Sequence, residues 1–312
     1  MKKIIFAGTG IFVLALIILT SGCTSYGGIN FFSPFQGSEG LIVSFVKNSP
    51  PEKVYSSSSF PVVVSLENQG ALDIKRGILV IGVEDFGEKS IAGGKDIIYF
   101  NLYGKNTSKA FGGEKDVKSF TLKAPEIESK SEQESSVSIK TCYPYDTFAQ
   151  LSLCLDTGIN DESDEKKPCE MQESISLSEQ GAPVAVSLVE IGKLFSDEKS
   201  LKFAFTIHVR NVGIGYPVSE DSVEKFCSSE KFNEKTDRAS FGKASVKAYL
   251  AGKELTCTPR TSVDLSSGED FVTCYTESMP VKSNAYSTVL NIKLEYGYVE
   301  IITQKFRIIR PT

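Results

Sequence analysis

The feature that most limits what this chain can fold into is an internal duplication. Residues 43–70 align without gaps to residues 186–213 at an offset of 143. Seven of the 28 positions are identical: Val43/Val186, Ser44/Ser187, Val46/Val189, Ser57/Ser200, Phe60/Phe203, Asn68/Asn211 and Gly70/Gly213. Random matching gives about two. Further pairs recur in the same order: Gly113-Glu114 with Gly268-Glu269, Pro125 with Pro280, and Ile139-Lys140-x-x-Tyr143-Pro144-Tyr145 with Ile292-Lys293-x-x-Tyr296-Gly297-Tyr298. Collinear recurrence of this kind means two copies of one fold.

Each copy is patterned as strands. Phe203, Phe205, Ile207 and Val209 recur every second residue, as do Phe60, Val62, Val64 and Leu66, which turns one face of each segment to a core. Asn68-x-Gly70 and Asn211-x-Gly213 follow with residues that tolerate left-handed backbone, so a turn is expected after each strand. Further strands are expected at 78–83, 117–122, 246–250 and 271–275, and a hairpin at each Tyr-Pro-Tyr or Tyr-Gly-Tyr. About seven short strands per copy predict an all-β chain, two tandem Ig-like β-sandwiches. No long 3.6-residue period argues for a helical or dinucleotide-binding domain. The copies differ in two loops, 88–112 in the first and a polar insertion, 219–243, in the second. Loops of this kind usually carry binding specificity.

The N-terminus has the parts of an export signal. Lys2 and Lys3 precede an apolar run from Ile4 to Leu19, and Thr20-Ser21-Gly22 leads to Cys23. The small pair before Cys23 resembles a lipoprotein signal, in which that cysteine is lipidated and becomes the new N-terminus. Thr20 stands where such signals usually have a branched apolar residue. An uncleaved helix is a second reading, since Ile4 to Gly22 is 19 residues, about enough to cross a bilayer, and full release after cleavage is a third. All three are expected to send the rest of the chain outside. The expected organisation is a signal peptide or membrane anchor (1–22), a flexible tether (23–40), a first sandwich (41–156), an acidic linker (157–182) and a second sandwich (183–312).

The strands shaped Phe-x-Val-x-Val-x-Leu-x-Asn-x-Gly, at Phe60 to Gly70 and in related form at Phe203 to Gly213, together with the lipoprotein-like start, resemble archaeal surface proteins with CARDB-like or S-layer-associated sandwich domains. The resemblance spans Leu41 to about Thr312. It implies an envelope location with a structural or binding role, and it brings no catalytic residues.

Seven cysteines, less Cys23, leave an even six for an oxidising compartment. Local closure favours Cys154–Cys169 and Cys257–Cys274, each closing a loop of roughly 15 residues, worth about 3 kcal/mol. Cys142 and Cys227 then either pair across the junction between copies, or the local pairs are different. Zinc is disfavoured because no CxxC occurs.

Chemistry-bearing groups are sparse. The single histidine, His208, falls on the outward side of a strand, and no GxSxG, HExxH or phosphate-binding glycine loop occurs. Residues 156–165 (DTGINDESDE) are rich in carboxylates. Asp156, Asn160, Asp161 and Asp164 are the best oxygen ligands for a Ca²⁺ ion, although the spacing is not that of an EF-hand. No other cofactor is expected. Tyr143, Tyr145, Tyr296 and Tyr298 are expected to plug the ends of the sandwiches with their hydroxyls wet, a sugar-stacking platform being the alternative. Asn106-Thr107-Ser108 fits a glycosylation acceptor. A net charge of −5 argues against nucleic acid, which needs a basic face. The expected function is a non-enzymatic, membrane-anchored envelope protein. It would act outside the cell as a structural or adhesion-like module for another envelope protein or a glycan. The alternatives are an accessory or substrate-binding subunit of a membrane complex, contacting it through 219–243, and a hydrolase working with paired carboxylates.

Overall fold

The structure is a computed structural model, and it describes residues 35–84, 96–105, 112–127, 131–158, 167–228, 238–282 and 284–311. The first copy supplies β1 (Leu41–Phe45), β2 (Lys53–Tyr55), β3 (Ser59–Asn68), β4 (Ile74–Val83), β5 (Ile97–Leu102), β6 (Lys115–Lys123) and β7 (Glu132–Asp156). A short β8 (Ser174–Ser176) joins it to the second copy. That copy holds β9 (Val184–Asp197), β10 (Ser200–Asn211), β11 (Tyr216–Val218), β12 (Lys243–Leu250), β13 (Lys253–Glu254), β14 (Thr256–Cys257), β15 (Ser262–Asp264), β16 (Glu269–Tyr275), β17 (Met279–Pro280) and β18 (Ala285–Ile309). Helix among the described residues is limited to one α-turn, α1 (Val223–Phe226), and two 3-10 turns. The chain is an all-β sandwich.

Among the described residues the strands form three sheets. A three-stranded sheet runs β1-β3-β6, and a six-stranded sheet runs β14-β16-β10-β9-β8 with β17 beside β10. The third, nine-stranded, has the spine β13-β12-β18-β7-β4-β5, with β2 and β11 on β18 and β15 on β12. The alternation read in the sequence is the cause. Val62, Val64, Leu66, Phe203, Phe205, Ile207 and Val209 are buried without exposure, in one continuous core. A fully buried side chain of this size contributes about 2–3 kcal/mol by its removal from water.

Two 25-residue strands organise everything else. β7 and β18 pair antiparallel over their whole length, from Ala285↔Asp156 to Ile309↔Glu132. The first half of β7 has β4 on its other side, Ile78↔Cys142 to Val83↔Val137. The first half of β18 has β12 there, Ser245↔Glu295 to Leu250↔Leu290. The second half of each strand therefore lies against the other copy's first half. The stretches 41–156 and 183–312 are copies of one pattern, yet the last strand half of each copy is paired into the sheet of the other. The whole of Pro34–Thr312 clusters as one compact unit.

Three expectations need correction. Tyr143-Pro144-Tyr145 and Tyr296-Gly297-Tyr298 are not hairpins but the midpoints of these long strands, where Pro144 pairs with Gly297. The tyrosines on both sides of Pro144 share a buried face, so alternation continues straight through. The end of the tether is built into the fold: Gly181 N–H donates to Gly37 O at 2.8 Å, and Gln69 N–H to Gly40 O at 2.8 Å. The acidic linker is structured over 167–182. There β8 pairs with β9, and the buried Gln180 side chain accepts from Val186 N–H at 2.8 Å. Residues 1–34, including the anchor and Cys23, lie outside the described residues, as does Asn106. No helix among the described residues is long and apolar enough to cross a membrane.

Candidate interaction surface at the centre of the molecule

The pairing has a symmetric centre. Residues of β7 correspond to those of β18 at an offset of 153, and the pair Pro144↔Gly297 corresponds to itself. On the inner face around that point stand Tyr143 opposite Tyr298 and Tyr145 opposite Tyr296, with ring centroids 5.9 and 6.3 Å apart. Their hydroxyls are not wet. Tyr143 Oη accepts from Leu41 N–H at 3.1 Å, and Tyr145 Oη accepts from Leu72 N–H at 3.0 Å. Tyr298 Oη donates to Asn211 Oδ1 at 3.1 Å, and Tyr296 Oη lies 3.0 Å from Thr147 Oγ1. Burial raises the pKa of all four. They are structural, and no ring face is open for a sugar.

The duplicated Asn-x-Gly motifs serve this centre. Asn68 Nδ2 donates to Leu72 O and Asn211 Nδ2 to Gly215 O, each at 2.8 Å, which shapes the same turn twice. A side chain at Gly70 would overlap the Tyr145 hydroxyl, and one at Gly213 the Tyr298 hydroxyl. These glycines are required for close approach.

Symmetry fails at one buried polar pair. Glu300 faces Thr141 across the ladder and is only 5% exposed, and Thr141 Oγ1 has no hydrogen-bond partner. Burial, with a smaller contribution from Glu39, pushes the Glu300 carboxyl up to about 7. The corresponding residue in the other copy is Thr147, whose hydroxyl donates to Val184 O at 2.6 Å.

The outer face of the same centre is covered by the insertion of the second copy. Val218, Val223 and Phe226 pack there on Ile78, Val80 and Val299. A disulfide, Cys142–Cys227, ties α1 to β7, and Lys140 Nζ donates to Phe226 O at 2.9 Å. Gly297 is small because Val218 and Val223 press on it. The remaining described cysteines form Cys154–Cys169 and Cys257–Cys274. Beside the insertion are two clefts of about 480 and 310 Å³ that share Arg76, Pro144 and Glu220. Arg76 has a positive φ of 59° where β4 bulges, and Asn101 Oδ1 accepts from its N–H at 2.9 Å. Its guanidinium is 3.8 Å from Glu220 with both side chains largely in water, a pair worth under about 1 kcal/mol. Asp73, Asp146, Asp221 and Glu224 complete a rim with more acid than base, which suits a cationic or polar partner group.

The other candidates lie apart from this surface. Asp156 is held by Lys167 at 2.9 Å and Lys193 at 3.4 Å and accepts from Gly158 N–H at 2.9 Å. Burial would raise its pKa, but these contacts outweigh burial and lower it. Two ammonium groups already meet this carboxylate, and the other three candidate ligands, Asn160, Asp161 and Asp164, lie outside the described residues. Among the described residues no three His, Cys, Asp or Glu side chains form a metal-holding group. His208 rests on the Phe271 ring and meets Glu190 at 3.1 Å on the second sandwich. The insertion was legible in the sequence as extra length. Its docking was signalled only by the unpaired Cys142 and Cys227.

No family model matches the chain, nor does any curated protein. The solved structures similar to this chain include the following three. The sporulation control protein Spo0M from Bacillus subtilis is 12% identical over 55% of this chain and 80% of that one, with a TM-score of 0.18. Red sea bream transglutaminase is 10% identical over 88% and 32%, with a TM-score of 0.19. A non-toxic crystal protein from Bacillus thuringiensis is 9% identical over 88% and 84%, with a TM-score of 0.12. Likenesses at such scores say nothing of function.

Proposed function

We propose that this chain is a non-enzymatic protein of the cell envelope, tied to the membrane by residues 1–22 or by lipid on Cys23, with its paired sandwiches facing outward as a structural or binding module. The observation that carries this reading is the set of three disulfides, which pairs every described cysteine and belongs to an oxidising compartment. The basic start, apolar run and small residues before Cys23 supply the export route. Among the described residues the His208 ring meets Glu190 and the Phe271 ring, and the described cysteines are held in disulfides, so neither supplies a thiol–imidazole pair. Intact mass of protein extracted from membranes tests the reading. It expects a lipidated Cys23 or a retained leader, and three disulfides. Native protein free in the cytosol with six reduced thiols would overturn it.

A second reading, an accessory subunit of a membrane complex, is favoured by the clamped insertion and its acidic rim. Affinity purification from solubilised membranes separates the two. A stoichiometric integral-membrane partner lost on Arg76→Glu supports the subunit reading, and recovery of the chain alone rejects it.

A further inference from the structure

The second half of β7 has a neighbour on one side only. The β4 ladder ends at Ile78↔Cys142, and beyond it β7 pairs with β18 alone. The direction of each backbone group follows from three observations. Pro144 has no N–H and needs none there, and Glu84 N–H donates to Ser136 O on the β4 side. Thr157 N–H donates to Asn284 O on the β18 side. Even-numbered residues of β7 therefore turn their N–H and C=O groups away from β18. Asp146, Phe148, Gln150 and Ser152 present theirs to an open edge, and among the described residues nothing bonds to them.

Beside that edge is a groove of about 530 Å³ between β7 and β8, lined by Phe148, Leu151, Ile175, Leu177 and Phe35. Its polar lining is Gln150, Asn291 and Gln180 amides, serine hydroxyls and the single carboxylate of Glu179.

The matching edge of β18 indicates what such an edge receives. It carries β11 antiparallel on Gly297–Val299 and β2 parallel on Arg307–Ile309. Its free stretch is guarded by Lys305, which pairs with Glu134 at 3.2 Å. Charged side chains of this kind keep an edge from taking further strands. On the β7 edge the only charged residue is Asp146, which Lys293 engages at 3.0 Å with the same ammonium over the Phe148 ring, and the outward positions Phe148, Gln150 and Ser152 are themselves uncharged.

We propose that the edge of β7 from Asp146 to Ser152 takes an extended peptide segment of a partner protein as an added strand. The four outward residues form the ladder, and the Leu151–Ile175–Leu177 groove takes alternate apolar side chains of an otherwise uncharged segment. This deepens the binding role proposed above but stands whether or not the chain is anchored to a membrane.

The test uses a library of random twelve-residue peptides displayed on phage, selected on the disulfide-intact protein, followed by the enriched peptide made synthetically. The peptide is expected to slow hydrogen exchange of the Phe148, Gln150 and Ser152 amides at least tenfold. Gln150→Pro removes one outward N–H and is expected to weaken binding at least tenfold, while Gln150→Thr keeps it. Exchange in the unaltered protein decides the matter even if the proline variant does not fold. The proposal is overturned if no enriched peptide protects these amides, or if binding survives in a folded Gln150→Pro protein. It is also overturned if the amides are already slow in a concentration-dependent dimer, which would make the edge a self-association site. A chain that binds peptide here but fractionates with the cytosol would defeat the localisation and spare the edge.

Discussion

Replacing Glu300 with glutamine should stabilise this protein in alkaline solution and leave it unchanged in acid. The unfolded side chain titrates near the ordinary 4.5, whereas burial and, to a lesser degree, the charge of Glu39 push the folded one to about 7. Between these values the folded protein holds a proton that the unfolded chain has lost. The contribution of Glu300 is therefore complete below pH 4.5 and is lost as pH rises through 7. At 1.36 kcal/mol per pH unit, the full displacement corresponds to about 3.4 kcal/mol. Relaxation of the surroundings and entry of water on ionisation reduce this to about 2 kcal/mol. Glutamine is close in shape and never ionises. Urea unfolding at pH 4.5 to 8.5 should show the two proteins converging at the acid end and Glu300→Gln more stable by about 2 kcal/mol at pH 8, a few degrees in Tm. Identical pH dependence in the two proteins, or a variant less stable at pH 8, would refute the reasoning.

Other expectations follow from the same centre. Gly70→Ala and Gly213→Ala each drive a methyl into a buried tyrosine hydroxyl and should cost about 1–3 kcal/mol in chemical denaturation. Loss of neither would mean the motifs serve only as turns. Cys142→Ser with Cys227→Ser opens a bridge spanning 85 residues, and should lower stability by about 4 kcal/mol. It should also make residues 216–228 the first site of proteolysis, whereas an unchanged digest would show that the apolar contacts alone hold the insertion. Thr141→Val removes a buried hydroxyl that has no partner and should be neutral or stabilising by about 1 kcal/mol, and a loss above that would reveal a hidden hydrogen bond.

Much of this fold was legible because alternation at Phe60 to Leu66 and Phe203 to Val209 is strict and each strand has one wet face. The length of β7 was equally written in the sequence. Val137, Ile139, Tyr143, Tyr145, Ala149, Leu151, Leu153 and Leu155 never leave the odd positions, so the pattern does not break at Pro144. Proline and glycine between tyrosines read as a turn because strands usually stop after about ten residues. What decides otherwise is tertiary. Pro144 needs no donor because β4 has already ended, and Gly297 is small because Val218 and Val223 cover it. The strand exchange left no local mark, since a strand borrowed from the other copy has the same alternation as one's own. The candidate surface was hidden for a similar reason. Arg76, Pro144 and Glu220 are brought together only when the insertion docks, and the cysteines that dock it are 85 residues apart. The partners of Asp156 were equally hidden, since the lysines that meet it, at 167 and 193, come from outside the acid-rich stretch it begins.

Cross-linking tests the strand exchange most directly. Ser152 lies opposite Val289, and Ser138 opposite Thr303, in pairs whose N–H groups point away from each other, where Cα atoms stand about 4.5 Å apart and a disulfide fits. Peptide mapping of the non-reduced protein should find Ser152→Cys joined to Val289→Cys, and Ser138→Cys joined to Thr303→Cys, in each case within one chain of monomer mass. Two self-contained sandwiches would form neither link, or only links between chains, and that result would contradict the fold described above.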